Sequence, residues 1–446
     1  MKKTALALFA VTQVLAVTGF WFWSHTWSKT GNLLTGDTPD RVLAWARLTG
    51  LLAVLAILFQ FVLAGRVRWV ERVYGMDRLT RLHHVTGFAL VVLLLAHPIL
   101  ATVGHALQAD AGYWEQSIDF FKTWEGLASA YAGLALLLMA SAASVLVLTR
   151  HLSYGRWYAT HAALYVAFGL TVLHQVAVGG DFTAHAGFRA YWYALYAGVA
   201  LALLAYRFGR PAAAFARHRF AVEKLVPETG DVTSVYITGR KMEAFRAEAG
   251  QFLIVRFLAK GFRWEAHPFS LSHPPDGQRL RLSIKRLGDF TRRVPELKAG
   301  TPVLIEGPFG VFTARRCASR KALLIAGGIG ITPIRSLAET LLAAGREAIL
   351  IYANRDSGSA VFTQELEELA GRSGGRLTLL PVMSGEPSWP GEKGRVDRAL
   401  LERLVPELTS RDVFLCGPPM MMKGVRSALT GLGVAAAHIH DERFAL

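Results

Sequence analysis

The sequence predicts a multi-domain chain in which a six-helix transmembrane bundle is followed by a β-barrel domain and then by an α/β domain with a parallel sheet. Two observations predict this order: long apolar runs fill the first half of the 446 residues, and short strand-like runs separated by Gly-rich turns fill the second half. We expect the bundle at residues 1–210, the β-barrel at 211–315 and the α/β domain at 316–446. The composition agrees, because 52% of the residues are hydrophobic and a mean hydropathy of +0.31 is high for a soluble protein.

The first half contains six apolar runs, each close to the ~20 residues that the hydrocarbon core of a bilayer requires. They cover residues 5–23, 45–65, 84–104, 128–148, 158–178 and 188–206. The first run follows "MKK" and would also suit a signal peptide. It lacks an Ala-x-Ala cleavage site, however, and ends in "WFW", which is typical of a membrane interface. We therefore expect six membrane helices.

The formal net charge of +16 would fit a nucleic-acid partner, but the positions of the basic residues give another explanation. In the first half, arginines cluster after the second, fourth and sixth runs: Arg66, Arg68, Arg72, Arg78, Arg81, Arg150, Arg156, Arg207, Arg210, Arg217 and Arg219. In the segments between the other runs, the basic residues stand among carboxylates. These basic residues are Lys29, Arg41, Lys122 and Arg189. By the positive-inside rule we expect both termini in the cytoplasm, in a bacterial-type inner membrane, and no nucleic-acid partner.

Two of the apolar runs carry histidines, which are costly inside a bilayer and usually functional there. The third run contains His83, His84 and His97, and the fifth contains His161 and His174. The steps of 14 residues (83 to 97) and 13 residues (161 to 174) both correspond to roughly 20 Å along a helix. A lone histidine would more often bond to a neighbouring helix. Two pairs at matched depth on parallel helices instead predict two six-coordinate b-type haems.

Some details of the histidine arrangement have two interpretations. His84 would match the 13-residue step, whereas His83 keeps both ligands of the third run on one helix face, and we prefer His83. The 13-residue step ends far around its helix, and only local over- or under-winding would account for that offset. His105 and His185 are expected in outer loops, where solvent rather than iron would surround them.

The second half begins with short runs that predict β-strands, among them "DVTSVYITG", "QFLIVRF" and "LRLSIKR". Three turn-rich motifs accompany them: "HPFSLS" (267–272), "SIKRLGDFT" (283–291) and "EGPFG" (306–310). Gly288 and Thr291 suit a tight turn whose backbone and hydroxyl contact a pyrophosphate. The cysteines Cys317 and Cys416 are far apart, which disfavours an iron–sulfur cluster, a zinc site and a disulfide framework.

From about residue 322 the chain alternates strands and helices, which predicts a parallel sheet. The stretch "KALLIAGGIGITPIRSLAETLL" is a buried strand, a Gly-rich turn and a helix. Its glycines Gly327, Gly328 and Gly330 let the backbone approach a phosphate at a helix N-terminus. Later strands end at residues 352–356 and 416–419, so we expect these segments and the Gly-rich turn around one cleft.

In this order, HPFS, GDFT, EGPFG, GGIGITP, CGPP and a near-terminal "ERF" resemble the ferredoxin–NADP reductase superfamily. Preceded by six apolar runs with paired histidines, the whole chain resembles the NADPH oxidase and ferric reductase family over nearly its full length. The resemblance implies that the β-barrel binds FAD and that the α/β domain binds a nicotinamide nucleotide. No EF-hand loop and no proline-rich tail occur, which disfavours calcium control and an adaptor domain.

The resemblance also implies roles for individual residues. Four residues would hold the flavin, with Ser270 near its reactive ring nitrogen: His267, Pro268, Phe269 and Ser270. The FAD phosphates would contact Lys285, Gly288 and Thr291. The nicotinamide nucleotide would contact Gly327, Gly328, Gly330, Thr332, Cys416, Gly417 and Pro418. Phe444 would stack on the flavin, although two residues follow it. Arg355 lies where a 2′-phosphate contact is expected, so we favour NADPH over NADH.

The resemblance implies a transmembrane oxidoreductase, with electrons passing from cytoplasmic NADPH through FAD and two haems to an outer acceptor. Oxygen, giving superoxide, is our first expectation for that acceptor, because the outer segments are short and offer no evident site for a large partner. Three alternatives stay open: a ferric-chelate reductase, an electron-supply subunit for a periplasmic protein, and a soluble flavin reductase with an inert membrane anchor.

Overall fold

The computed structural model describes residues 2–27, 33–34, 36–148 and 154–443 and divides into two compact units. The first unit comprises Met1–Val67 and Arg78–Arg207, and the second comprises Arg68–Asp77 and Phe208–Leu446. The short segment Arg68–Asp77, which lies between two apolar runs in the sequence, thus belongs to the second unit. The predicted domain boundaries at 210 and 315 stay predictions.

The first unit is helical. With the short α3 of the second unit, its helices in chain order are α1 (Lys2–Trp27), α2 (Thr38–Ala64), α3 (Arg68–Tyr74), α4 (Met76–Ala109), α5 (Tyr113–Thr123), α6 (Leu127–Leu148), α7 (Tyr154–Ala162), α8 (Leu164–Ala177), α9 (Gly180–Ala184) and α10 (Ala186–Leu203). A π-helix (Leu204–Gly209) and α11 (Arg210–His218) follow. The start of α2 illustrates why these residues form helices: Asp37 accepts a hydrogen bond from the N–H of Asp40, and a proline occupies the first turn.

Five described helices or helical stretches are long and apolar enough to cross a membrane, judged by length and composition. They are Thr4–Thr26, Thr38–Ala64, Met76–Ala109, Leu127–Leu146 and Ala186–His218. The predicted count of six is not confirmed, because the fifth apolar run forms two shorter helices, α7 and α8. They meet at Ala163, whose backbone is helical (φ −63°, ψ −14°) and whose N–H is shared between the carbonyls of Ala159 and Thr160. The interruption is therefore a single tight turn.

Helix α4 extends well beyond the predicted run 84–104. It begins after Gly75, whose φ of +77° favours glycine, and ends before Asp110, whose φ of +52° is also left-handed. His105 consequently lies in a helix and packs against Phe120 and Trp124, with ring centres 5.4 and 5.0 Å away. The expectation that His105 lies in a solvated loop was wrong.

The second unit starts with six strands: β1 (Ala221–Thr229), β2 (Val232–Thr238), β3 (Phe252–Phe257), β4 (His267–Ser270), β5 (Leu280–Lys285) and β6 (Val303–Phe309). They form two antiparallel three-stranded sheets with the orders β1-β2-β5 and β4-β3-β6. The sheets enclose one apolar core and are joined by isolated bridges between Ala221 and Pro302 and between Leu271 and Leu282. The β fold is therefore as predicted, whereas closure into a barrel is not confirmed.

The rest of the second unit is an α/β sandwich around a parallel sheet. Its strands are β7 (Lys321–Gly327), β8 (Glu347–Asn354), β9 (Leu377–Met383), β10 (Glu392–Lys393), β11 (Asp412–Cys416) and β12 (Ile439–Glu442). Its helices, after the one-turn α12 (Asp289–Arg292) of the preceding sheets, are α13 (Ile331–Ala343), α14 (Thr363–Arg372), α15 (Arg398–Leu404) and α16 (Pro419–Gly431). All the strand pairs are parallel, in the order β10-β9-β8-β7-β11-β12. The direction of the winding reverses between β7 and β11, which is where such sheets bind ligands.

Candidate functional site

In the structure, the histidines of the third and fifth apolar runs lie together in two pairs. The ring centres of His83 on α4 and His161 on α7 are 6.0 Å apart, and those of His97 on α4 and His174 on α8 are 6.3 Å apart. A histidine nitrogen binds a metal ion at about 2 Å and lies roughly 1.2 Å from its ring centre, so two rings on opposite sides of one ion have centres roughly 6 to 6.5 Å apart. Both pairs have the spacing that a shared metal ion requires.

The hydrogen bonds of the rings agree with this use. Nδ1 of His97 lies 2.8 Å from the carbonyl oxygen of Ala46, to which it donates, so Nε2 keeps a lone pair for a metal. Nδ1 of His161 lies 3.3 Å from the hydroxyl of Ser144. Among the described residues, Nδ1 of His83 and of His174 is buried without a hydrogen-bond partner. Hydrogen bonds therefore orient the rings of His97 and His161, which keep Nε2 available, whereas they do not orient the rings of His83 and His174.

Two protein ligands per level do not complete a metal site by themselves. In the described ranges, no group of three or more histidine, cysteine, aspartate or glutamate side chains that could hold a metal ion occurs. An ion between each pair would need its remaining ligands from elsewhere, and a porphyrin supplies four in one plane. The residues present therefore fit a haem at each level.

The structure also bears on the two details that the sequence left open. His84 is exposed, whereas His83 is partly buried beside His161, which favours His83 as the ligand. The tight turn at Ala163 lies between His161 and His174. Their angular offset is therefore not that of a regular helix, and this supplies the local change of winding that a 13-residue step needs.

The flavin motif lies on β4, which pairs with β3 along its whole length. Ser270 ends this strand, and its buried hydroxyl is one for which the described part of the chain offers no hydrogen-bond partner. Nε2 of His267 lies 3.0 Å from a carboxylate oxygen of Glu265, and its ring centre is 4.1 Å from that of Phe290. Pro268 and Phe269 lie between them on the strand. A flavin accepting a hydrogen bond from Ser270 would satisfy a group that the protein leaves unsatisfied.

The phosphate motif is organised by the hydroxyl of Thr291, which accepts hydrogen bonds from the N–H groups of Leu287 (2.9 Å) and Gly288 (3.0 Å). Gly288 has an extended backbone (φ −148°), so the turn does not need glycine for its conformation. A Cβ at this position would meet nothing within 4 Å, which leaves open space beside the backbone. Lys285 lies 3.3 Å from Asp231. The motif therefore combines an unobstructed turn with a lysine that is paired with Asp231, and its contact with a pyrophosphate stays a prediction.

The nucleotide turn packs against the end of β11. Gly328 has a left-handed φ of +52°, which favours glycine. A Cβ on Gly330 would lie 2.4 Å from the carbonyl oxygen of Cys416, and one on Gly327 would lie 2.6 Å from the sulfur of Met421. Thr332 donates its hydroxyl hydrogen to the carbonyl of Ile329 (3.0 Å). The structure thus joins the turns after β7 and β11 at the reversal point of the sheet.

The segment after β11 completes this crevice. A Cβ on Gly417 would come within 3.1 Å of the backbone of Gly327, and one on Gly327 within 2.9 Å of the ring of Pro418. The glycines of both turns therefore serve close turn-to-turn packing as well as any approach to a phosphate. Sequence reasoning missed Met421, which contacts both turns, because a methionine on a helix has no signal that distinguishes it from ordinary core.

Cys416 is fully buried and faces Glu442, its register partner on β12. Burial raises the pKa of the Cys416 thiol well above its ordinary value, and the carboxyls of Glu442 and Asp77 raise it further. Burial, followed by the charges of Asp77, Glu71 and Asp441, also raises the pKa of Glu442 well above the carboxyl range. The thiol of Cys416 is therefore neutral and is covered by its neighbours. Phe444, predicted to stack on the flavin, lies outside the described residues.

Arg355 lies just after β8 and is exposed. Its carbonyl accepts a hydrogen bond from the N–H of Gly385 at 2.7 Å, and its side chain runs past Gly385. The next loop residue, Asp356, caps a short 3₁₀ turn by accepting from the N–H of Ser359. The backbone of Arg355 is thus fixed at the carboxyl edge of the sheet, and its side chain is exposed there, where a 2′-phosphate contact was predicted.

The segment Arg68–Asp77 contributes a buried carboxylate that the sequence did not predict. Glu71 on α3 is 1% exposed and accepts a hydrogen bond from the N–H of Gly310, at 2.8 Å, in the EGPFG motif. Burial raises the pKa of Glu71, although the hydrogen bond from Gly310 and the charges of Arg68 and Arg72 oppose the rise. Gly310 is thereby fixed by a residue far away in the sequence.

The raised pKa of Glu71 predicts how the free energy of unfolding depends on pH. Because the pKa of Glu71 is higher in the folded state, the folded chain keeps a proton that the unfolded chain loses, so the free energy of unfolding decreases as pH rises through the raised pKa. Glu71→Gln keeps an acceptor for Gly310 and should remove this decrease. Glu71→Ala leaves a buried N–H without an acceptor and should cost about 1–3 kcal/mol at every pH. Melting temperatures between about pH 5 and about pH 8 measure both effects, and an unchanged pH slope in Glu71→Gln would contradict the assignment.

Comparisons with known proteins agree with this arrangement. Three family models match consecutive parts of the chain: "Ferric reductase like transmembrane component" at residues 49–172, "FAD-binding domain" at 219–313 and "Oxidoreductase NAD-binding domain" at 324–427. The chain has the NADPH oxidase and ferric reductase-type architecture. The transmembrane match of this ferric reductase-type chain includes His83, His97 and His161, and its C-terminal half is an FAD- and NAD(P)-binding oxidoreductase module.

Individual relatives of this ferric reductase-type chain match about half of it. The glycine betaine monooxygenase reductase subunit of Chromohalobacter salexigens is 29% identical, over 51% of this chain and 64% of that protein. The flavohemoprotein of Schizosaccharomyces pombe is 34% identical, over 50% of this chain and 56% of that protein. Ferredoxin–NADP reductase B of Sorangium cellulosum is 31% identical, over 50% and 95%. The chain thus spans less than two thirds of the first two relatives.

Among solved structures, the FAD/NAD binding domain of nitric oxide dioxygenase from Vibrio cholerae matches 51% of this chain and 99% of its own, with 25% identity and a TM-score of 0.46.

Proposed function

We propose that this protein is a transmembrane oxidoreductase that moves electrons from cytoplasmic NADPH, through FAD and two haems, to oxygen on the outer side. The proposal rests on two pairs of histidines, whose ring centres are 6.0 Å apart in one pair and 6.3 Å apart in the other. The same chain carries an FAD-binding and an NAD-binding domain. When bound, FAD would convert the hydride of NADPH into single electrons, and each haem would carry one electron at a time.

The chain's own residues would supply ligation, orientation and exclusion of water. His83 and His161 would hold the inner iron, and His97 and His174 the outer one. The carbonyl of Ala46 would fix the tautomer of His97 and raise its basicity as a ligand. Ser270 would donate its hydroxyl hydrogen to the flavin ring. We also infer a bacterial-type inner membrane with both termini in the cytoplasm, from the arginine-rich segments.

For the acceptor, the described connections between the apolar helices support oxygen. On the outer side these connections contain the short helices α5 and α9, and so offer little room for a large partner. The match of a ferric reductase transmembrane component supports a ferric chelate as the second candidate. A periplasmic protein acceptor is the third, and Arg355 supports NADPH over NADH through a 2′-phosphate contact.

The proposal is tested by NADPH-driven reduction of external cytochrome c in air, on the purified, FAD-supplemented chain, with and without superoxide dismutase. Inhibition by the dismutase is expected, because oxygen would take the electron first. If the dismutase does not change the rate of cytochrome c reduction, a ferric chelate or a protein is favoured as the acceptor instead. Absence of a bis-histidine haem spectrum would overturn the haem assignment and leave a flavin reductase with a membrane anchor.

The proposed outer haem makes a separate prediction at Gly50. A Cβ there would lie 2.7 Å from Nδ1 and 2.8 Å from Cε1 of the His97 ring. Gly50→Ala should therefore push the ring aside and lower the number of bound haems from two per chain to about one. This loss is expected even though alanine ordinarily stabilises a helix by roughly 1 kcal/mol relative to glycine. The matched control is Gly19→Ala, since a Cβ on Gly19 would meet nothing within 4 Å. Haem-to-protein ratios measure the effect, and equal ratios in both variants would contradict it.

A further inference from the structure

Two buried arginines of the second unit converge on one glutamate. Arg281 on β5 is 4% exposed, Arg335 on α13 is 6% exposed, and both point at Glu365 on α14. Arg281 makes a two-pronged contact, with nitrogen–oxygen distances of 2.6 and 3.0 Å, and Arg335 approaches the same carboxylate at 3.0 Å. Arg335 also lies 2.9 Å from Glu339 one turn along its helix, and Glu339 lies 3.7 Å from the exposed Arg372.

The remaining donors of Arg281 reach the loop after the flavin strand. Its Nε lies 3.1 Å from the hydroxyl of Ser272, and its Nη2 donates to the carbonyl of Ser272 at 2.9 Å. Arg335 also donates to that carbonyl, at 3.4 Å. The guanidinium of Arg281 lies over the ring of Phe362, 4.5 Å from its centre. The charged groups are thus tied to one backbone position.

The position of this cluster, formed by Arg281, Arg335, Glu365 and Glu339, relates the two cofactor motifs. Ser272 is two residues beyond Ser270, and Arg335 is three residues beyond Thr332 on the helix that starts at the Gly-rich turn. The cluster therefore connects the backbone of the flavin motif to the helix of the nucleotide motif. A displacement of α13 relative to β4 would break several of its bonds at once.

Buried charges of this kind are a poor means of gaining stability. Desolvation cancels much of their attraction, and well-packed apolar residues often replace them without loss. A two-pronged arginine–carboxylate contact does, however, restrict direction as well as distance. Hydride transfer needs that restriction, because the hydride, two electrons and one proton, passes from nicotinamide to flavin only when the reacting atoms are roughly 3 to 3.5 Å apart.

We infer that Arg281, Arg335 and Glu365 are positioning residues that set the nucleotide turn relative to the flavin strand, and with it the distance between nicotinamide and flavin. This inference rests on the proposed function. It assigns the cluster no contact with either cofactor. Its loss should slow hydride transfer while leaving FAD binding and the later steps unchanged.

The test uses the full chain, detergent-solubilised and loaded with FAD. The double variant Arg281→Met/Glu365→Leu removes both charges, so that no new unpaired charge is buried, and Arg335 keeps Glu339. Anaerobic flavin reduction by NADPH in a single turnover should slow roughly tenfold or more, with a weaker nicotinamide–flavin charge-transfer band. FAD affinity, melting temperature and reoxidation of photoreduced flavin by ferricyanide should match the wild type.

The matched control is Arg403→Met/Glu392→Leu. This pair has the same two-pronged geometry, at 2.8 and 2.5 Å, but Arg403 is 57% exposed and the pair lies at the edge strand β10. Its flavin reduction should stay within about twofold of the wild type. A second variant, Arg281→Lys, keeps the charge and loses the fork, and should slow flavin reduction without unfolding.

The outcomes separate the inference from the function on which it rests. If the wild type itself is not reduced by NADPH or NADH, the proposed function fails. If the wild type is reduced and both Arg281→Met/Glu365→Leu and Arg281→Lys are reduced at its rate, the cluster is only structural and the inference is wrong. Slow reduction in Arg281→Lys, with normal FAD content and an unchanged rate in the control pair, supports it.

Discussion

Replacing His97 with leucine is expected to remove one of the two proposed haems and to stop electron delivery to an external acceptor, while dye reduction by NADPH continues in the C-terminal half. Leucine has no lone pair for iron, and its partner His174 would retain only one side of the site. The flavin and nucleotide motifs lie in the second compact unit, whereas His97 lies in the first. We expect loss of at least about 90% of the transfer to external cytochrome c. Reduced-minus-oxidised spectra and a diaphorase assay on one preparation measure both effects.

The matched control is His105→Leu, two turns further along the same helix. The ring of His105 packs on Phe120 and Trp124 and has no histidine partner among its described ring contacts. This variant should keep both haem signals and the external activity. If His97→Leu kept both signals, the outer pair would not hold a haem. If it lost diaphorase activity with its fold intact, the division of labour between the halves would be wrong.

The histidine pairs could be predicted because the information is local. The spacing along each apolar run places two histidines at each of two depths, and no tertiary knowledge is needed to align two parallel runs of similar length. The surroundings of each ring could not be predicted in this way. Gly50 and Ala46 approach His97 from α2, which is far away in the sequence. The turn at Ala163 lacks a proline or glycine, so nothing in the sequence marks it.

In the nucleotide crevice, too, the local elements could be predicted from the sequence but the long-range contacts could not. The Gly-rich turn and the strands around it follow from strong local patterns, and the parallel sheet contains them as expected. The sequence predicts that the Gly-rich turn and residues 416–419 share one cleft, but the close packing of Gly330 against the carbonyl of Cys416 also depends on the strand order. Likewise, Glu71 precedes its partner Gly310 by 239 residues, and a glutamate among arginines looks like an ordinary solvated residue. Long-range contacts of this kind become visible only in the structure.

Replacing Ser270 with alanine is expected to slow flavin reduction without weakening the fold. The Ser270 hydroxyl is buried and, as far as the described residues extend, lacks a partner, so the protein alone gains nothing from it. Removing an unsatisfied hydroxyl should leave the free energy of unfolding without FAD within about 1 kcal/mol of the wild type, or raise it. A hydrogen bond to the flavin ring contributes roughly 1.5–3 kcal/mol when the acceptor gains charge, so its loss should slow reduction by about 10- to 100-fold.

Ser336 on α13 provides the comparison that separates the two effects. Its hydroxyl is also fully buried and has no hydrogen-bond partner in the part of the chain that the structure describes. Ser336→Ala should resemble Ser270→Ala in stability but keep the rate of flavin reduction within about twofold. Single-turnover reduction by NADPH and melting with and without FAD measure both properties. If both variants were reduced at the wild-type rate, Ser270 would not bond to the flavin. If both were slowed equally, the cause would be a general effect of a lost core hydroxyl. A slow Ser270→Ala beside an unaffected Ser336→Ala would place the reacting edge of the flavin at the end of β4, where the buried Ser270 hydroxyl could donate a hydrogen bond to it.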